Sequence, residues 1–230
     1  MQDRPTLRDG SRVSYGAPAK ESALSTNKVL RNTYFLLSMT LIFSAITASL
    51  AMVFKMPYLG PFVTLGVYFG LLFLTNRMRN SAAGIACVFA LTGFMGLTLG
   101  PLLTVYMEQL SNGTELVMTA LGATGLVFVG LSAFAIRTGK DFSFMNGFIM
   151  AGMFGLLGVI VLGLFVDLSA FQLAISAAIV LLMCALILHQ TSAIIHGGET
   201  NYIMATVTLY VTIYNLFINL LMLFGISGDD

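Results

Sequence analysis

The 230-residue chain has no tryptophan, two cysteines, two histidines and five prolines, and only 9% of its residues are charged. Each shortage excludes something. A soluble domain carries about 25% charged residues, so this chain lacks the polar surface a water-facing fold needs. A net charge of +1 gives no basic footprint for phosphate contacts, which excludes a nucleic-acid binder. Cys87 and Cys184 both lie in apolar segments and read as two buried thiols rather than a redox pair. There is no HExxH motif, and the Gly-Leu-Ser-Ala-Phe run at 130–134 is not GxSxG. No nucleophile–base pair can be assembled from the apolar segments, so the chain does not read as an enzyme and no cofactor is expected.

What is present is apolar: 57% hydrophobic residues and a mean hydropathy of +0.91. A bilayer core about 30 Å thick takes about 20 apolar residues of helix. Seven segments qualify: 34–54, 59–76, 82–107, 116–136, 144–166, 172–188 and 202–224. The expected fold is therefore an all-α membrane protein, a bundle of seven transmembrane helices over residues 28–226. The sixth span has room to extend through Gln190 to Ile195, and Gly100-Pro101 should kink the third or split off a short piece. The first 33 residues hold no apolar run, so no cleavable signal is expected and the first span serves as both signal and anchor. Residues 1–27, rich in Ser, Pro, Gly and charge, read as a disordered cytoplasmic tail, and 227–230 as a short periplasmic one.

Charge sets the expected orientation. Arg4, Arg8, Arg12, Lys20, Lys28, Arg31, Arg77, Arg79, Arg137 and Lys140 fall on one side, and Lys55 alone on the other. The positive-inside bias puts the N-terminus in the cytoplasm and, after seven spans, the C-terminus outside. Tyr34, Tyr58, Tyr106 and Tyr202 stand near span ends, where amphipathic rings favour the interface. Gly66/Gly70, Gly96/Gly100 and Ala151/Gly155/Gly158 repeat small residues at helical spacing, a pattern for close packing inside the bundle.

None of the seven segments contains Asp, Glu, Lys or Arg. Proton relays and many ion pathways keep such groups at membrane depth. The polar content is neutral instead. In the last span Thr208, Thr212, Asn215 and Asn219 recur on one helical face, with Tyr210 and Tyr214 on neighbouring faces. Two readings fit the stripe: interhelical hydrogen bonds or the wall of an internal cavity.

The polar block HQTSAIIHGGETNYI, 189–203, interrupts the last two spans. His189, His196 and Glu199 invite a metal reading. Gly197-Gly198 breaks the helix between His196 and Glu199, however, and no fourth ligand is evident. The simpler reading is a cytoplasmic loop: a helix end at His196, a Gly197-Gly198 turn, and a capped restart through Glu199, Thr200 and Asn201.

The stretch 189–225, HQTSAIIHGGETNYIMATVTLYVTIYNLFINLLMLFG, resembles the last two spans of the Bax inhibitor-1 (transmembrane Bax inhibitor motif) family. KVLRNTYFLLSMTLIFSAITASL, 28–50, resembles that family's first span. STNKVLRNTYFLL and IIHGGETNYI are similar to its proteobacterial inner-membrane branch, and the resemblance covers nearly all of 25–226. It implies seven spans in the bacterial inner membrane. It also implies a partner, the membrane-anchored ATP-dependent protease FtsH, which this branch modulates and which degrades it slowly. Calcium-leak members carry a pH-sensitive aspartate pair, and matching the motifs puts Gln190 and Thr212 at those two positions. Two carboxylates held close share a proton and titrate in split steps. Gln and Thr cannot, although they could bond across the two helices and hold them closed. Two function classes follow: a regulatory interaction protein that docks beside the protease, and a cation channel.

Overall fold

The computed structural model describes residues 19–227, with side chains for 28–225. Among the described residues there are seven α-helices: α1 (Ala19–Val53), α2 (Pro61–Met78), α3 (Ala82–Gln109), α4 (Gly113–Thr138), α5 (Asn146–Leu162), α6 (Gln172–Ile195) and α7 (Tyr202–Ser227). Short 3-10 turns, Ser143–Met145 and Ser169–Phe171, lead into α5 and α6. Six of the seven helices are long and apolar enough to cross a membrane. The other is α2, 18 residues long with Arg77 in its last turn. Most of the expected tail, residues 1–18, and residues 228–230 lie outside the described residues, whereas residues 19–27, expected as disordered tail, are helical and begin α1.

Short connections alternate the helix directions. The α2–α3, α4–α5 and α6–α7 links therefore share one end of the bundle, the end that carries the 189–203 block. α7 is the centre, packing against α6, α4, α1 and α3. Its apolar residues join two clusters. Leu209, Tyr210 and Ile213 pack with Leu36, Leu37, Val88 and Leu91 toward the block end. Leu216, Phe217 and Leu221 pack with Leu116, Ala120, Met183 and Ile187 toward the other. At the periphery, α2 packs chiefly on α3, and α5 chiefly on α6 and the 3-10 turns beside it.

The most extensive helix packing is α1 on α3. A Cβ on Gly96 would collide with the Thr47 hydroxyl and the Ser44 carbonyl, and one on Gly100 with the Ala51 side chain. This glycine pair packs as the spacing predicts. Gly66 and Gly70 on α2, and Gly155 and Gly158 on α5, have nothing within 4 Å of a Cβ position. Those two patterns do not serve packing within the chain. A small-residue spacing states that a neighbour can come close, and only the fold supplies one.

Pro101 does not split the third span: α3 runs unbroken to Gln109. The proline removes one backbone donor, and nearby the Thr104 hydroxyl donates to the Gly100 carbonyl at 3.0 Å. The sixth span does extend to Ile195.

Candidate functional site: the 189–203 block and the polar face of α7

The block is a helix end, a turn and a restart, as its sequence suggests. α6 stops at Ile195. Gly197 takes φ +75°, in the left-handed region that glycine enters without a Cβ penalty. The Gly198 N–H then closes on the Ala193 carbonyl at 2.8 Å. Asn201 caps α7: its Oδ1 accepts from the N–H groups of Ile203 and Met204, both at 3.1 Å. Glu199 Oε1 accepts from the Asn201 N–H at 2.8 Å.

The same residues bolt the other two loops of that end together. Asn201 Nδ2 donates to the Arg79 carbonyl (3.0 Å) and to Asn80 Oδ1 (2.9 Å), which fixes the α2–α3 loop. Ser192, fully buried, donates to the Lys140 carbonyl at 3.1 Å and accepts from the Phe142 N–H at 3.0 Å, which fixes the α4–α5 loop. His196 adds Nε2 to the Gly139 carbonyl (3.1 Å) and Nδ1 near the Ser192 carbonyl (2.9 Å). His196 and Glu199 are thus occupied by loop carbonyls and a backbone N–H, and among the described residues no three metal-binding side chains gather. Asp141, in the α4–α5 loop, is held below the ordinary carboxylate range by hydrogen bonds from the Ser143 N–H and side chain, and by the nearby His196. Ser192 was not singled out by the sequence: a serine near a helix end carries no signal of a partner 50 residues away.

The α7 stripe lies where the spacing puts it, but its bonds are local. The Thr212 hydroxyl donates to the Thr208 carbonyl at 2.7 Å. Asn215 Nδ2 donates to Val211, and Asn219 Nδ2 to Asn215, both at 2.8 Å. The interhelical bonds come from the flanking tyrosines and their neighbours. The Tyr210 hydroxyl meets Ser44 Oγ at 2.5 Å and the Thr92 carbonyl at 3.2 Å. Tyr214 meets Thr98 Oγ1 at 3.4 Å, and Tyr34 meets Thr191 Oγ1 at 3.1 Å.

The stripe lines cavities. Thr208 and Thr212 face a groove of about 700 Å³ walled by α2, α7, Met153 of α5 and Leu186 of α6. Thr212 and Asn215 face a second cavity of about 290 Å³ between α5, α6 and α7. Asn219 lines a third, about 490 Å³, which ends at Asp167, Ser169 and Gln172. Gln190 lines none of these cavities, and among the described residues its side chain forms no hydrogen bond. Among the described residues Gln190 and Thr212 are not bonded to each other; the Thr212 hydroxyl donates to its own helix at the Thr208 carbonyl.

Comparison with known proteins agrees with the motifs. Residues 26–229 match the Bax1-I family, described as inhibitor of apoptosis-promoting Bax1. The chain is 49% identical to the modulator of FtsH protease YccA of Escherichia coli K12, over 95% of this chain and 99% of the relative. It is 56% identical to a Pseudomonas aeruginosa protein over 88% of this chain and 90% of that one. A family match across the last nine-tenths of the sequence, and identity near one half over almost the whole length of a relative, leave one conclusion: this seven-helix chain belongs to the Bax inhibitor-1 family.

Proposed function

We propose that the chain is a multi-pass protein of the bacterial inner membrane that binds FtsH, is degraded by it slowly, and so moderates its proteolysis of other membrane proteins. The observation that carries this reading is the 49% identity to the FtsH modulator over 95% of this chain. In this reading α2 is the seventh span, the loop-bolted end and the N-terminus face the cytoplasm, and the C-terminus faces the periplasm. The split of ten cations against Lys55 supports that orientation. Residues 1–27 serve as the handle offered to the protease, and 28–226 as the bundle behind it. Residues 19–27 of that segment begin α1, and an extended stretch of 18 residues still reaches tens of ångströms, at roughly 3.3–3.6 Å per residue. The bundle resists extraction because α1, the first helix pulled, is locked on α3 at Gly96 and Gly100 and hydrogen-bonded to α7 through Ser44. A chain gripped by its tail but slow to unfold occupies the protease and slows its other work.

The test is co-purification with FtsH in mild detergent, full-length chain against a version lacking residues 2–27, with cellular half-lives in the presence and absence of the protease. The full-length chain should bind and turn over, and the shortened one should bind and persist. Failure of both to associate would sink the reading.

A second reading, a cation leak, draws on the three cavities that Thr208, Thr212, Asn215 and Asn219 line in succession. Against it stands the absence of any charged side chain on that face. Calcium flux into vesicles containing the purified chain separates the two readings.

A further inference from the structure

A groove of about 700 Å³ opens between α2 on one side and α5, α6 and α7 on the other. α2 is held chiefly by α3 and α5 chiefly by α6, so no helix closes the gap between them. Its walls are Tyr68, Phe69, Leu72 and Phe73 of α2, with Leu186 of α6 and Val207 and Val211 of α7 among the facing residues. The groove reaches Asn76, in the last turn of α2, and Met204, in the first turn of α7. Both stand at the end of the bundle that carries the 189–203 block.

Directly beyond Asn76 come Arg77 and Arg79, both exposed. Among the described residues neither side chain forms an ion pair or a hydrogen bond. The backbone that carries them is not loose: the Arg79 carbonyl is held by Asn201 Nδ2 at 3.0 Å. An apolar slot of ligand size thus ends at Asn76, and the next cations along the chain are Arg77, in the last turn of α2, and Arg79, on the anchored loop. Guanidinium matches phosphate in geometry as well as in charge.

We propose that this groove holds an acyl chain of an anionic phospholipid, with its phosphate met by Arg77 and Arg79. The chemistry selects this occupant over others. An acidic protein segment would satisfy the arginines but not the aromatic and aliphatic walls. A neutral lipid would fill the walls and leave the guanidinium pair without a counter-charge. Polybasic ends of membrane helices attract anionic headgroups, and here the attraction is paired with a cavity that fixes where the chain lies. The bound lipid would bridge α2 to α7, which otherwise stand apart at this level, and its tail would lie against Thr208 and Thr212.

The experiment uses the full chain in vesicles of phosphatidylcholine with a minority of phosphatidylglycerol. Either lipid carries a diazirine at mid-acyl position, and the crosslinks are mapped by mass spectrometry. The phosphatidylglycerol probe should label groove residues such as Leu72 and Val207 roughly thirtyfold more than the phosphatidylcholine probe, the scale expected for two arginines near one anionic headgroup at about 1 kcal/mol each. Arg77→Gln with Arg79→Gln should bring the two probes to parity. Arg137→Gln with Lys140→Gln, the basic pair of the neighbouring loop, should leave the preference in place. Leu72→Trp, which narrows the slot, should reduce groove labelling by both probes. Equal labelling by the two probes in the unmodified chain overturns the proposal in favour of a neutral lipid. Crosslinks between two copies of the chain in place of lipid overturn it in favour of a protein occupant. Unchanged preference in the Arg77/Arg79 variant, with its melting temperature unaltered, overturns the assigned role of the arginines.

Discussion

The Tyr210 hydroxyl lies 2.5 Å from Ser44 Oγ and 3.2 Å from the Thr92 carbonyl, so one side chain of α7 ties α1 and α3 at once. Both Tyr210 and Ser44 are buried. Tyr210→Phe keeps the ring and removes the hydroxyl, leaving Ser44 without that partner. The expected loss is about 1 kcal/mol of stability, in the range measured for hydrogen bonds between membrane helices. Thermal unfolding in detergent reads it. Ser44→Ala should cost about as much, and the double variant little more than either single one. Full additivity would mean that the two hydroxyls act separately.

Glycines of the same spacing should differ in consequence. Gly96→Ala forces the new methyl onto the Thr47 hydroxyl and the Ser44 carbonyl, an overpacking cost of about 1–3 kcal/mol. Gly66→Ala enters open space and should stay within about 0.5 kcal/mol of the parent. In cells, the first variant should also be degraded faster if resistance to extraction lies in the α1–α3 contact. Equal stability of the two variants would contradict the packing described here.

Ser192→Ala removes the acceptor of the buried Phe142 N–H and the donor to Lys140. An unsatisfied buried amide costs about 1–3 kcal/mol. The effect should be local, seen as faster hydrogen exchange over residues 139–145, with α1–α3 unchanged. Exchange that rises uniformly, or not at all, would mean that the serine does not hold the loop.

Asp141 and Asp167 each accept a backbone N–H, from Ser143 at 2.8 Å and from Ser169 at 2.9 Å. Those bonds hold both carboxyls below the ordinary aspartate range. The sign follows from linkage. A carboxyl depressed in the folded state contributes its stabilisation above the unfolded pKa, about 3.9, and loses it as pH falls through the lower folded value. Both turns should therefore hold through neutral and mildly acid pH and loosen only below about pH 4. Titration of the two carboxyl carbons by NMR should show midpoints below the ordinary aspartate value of about 3.9.

Gln190→Asp with Thr212→Asp places carboxyls at the two positions that the motif resemblance sets against the family's aspartate pair. If the alignment is right, the double variant should acquire a calcium leak that changes with pH, measured by dye in vesicles, while the parent shows none of that pH dependence. A folded double variant that does not leak would show that the two positions do not correspond.

Much of this architecture is legible without coordinates because lipid imposes simple rules. Apolar length marks helices, and Gly-Gly after His196 marks a break. The Thr208–Asn219 stripe is legible as one face of a helix, while its local hydrogen bonds are not, because periodicity identifies a face but not what stands opposite. Tyr210 and Ser192 show the same limit. Each acts on a partner more than 40 residues distant, and nothing in the local sequence encodes that distance.

Sequence alone determined that the chain is a helical membrane protein, where its helices run, and to which family it belongs. Hydrophobic length and helical spacing are local properties, and every backbone polar group in a bilayer must be satisfied within its own helix. Tertiary structure decided the rest. It chose Gly96 and Gly100 over Gly66 and Gly70 as a packing seam, made the 189–203 block the clamp for two other loops, and left a groove between α2 and α7 that ends at Asn76 and Met204. Those outcomes depend on which helix meets which, and that is settled only when all seven pack at once.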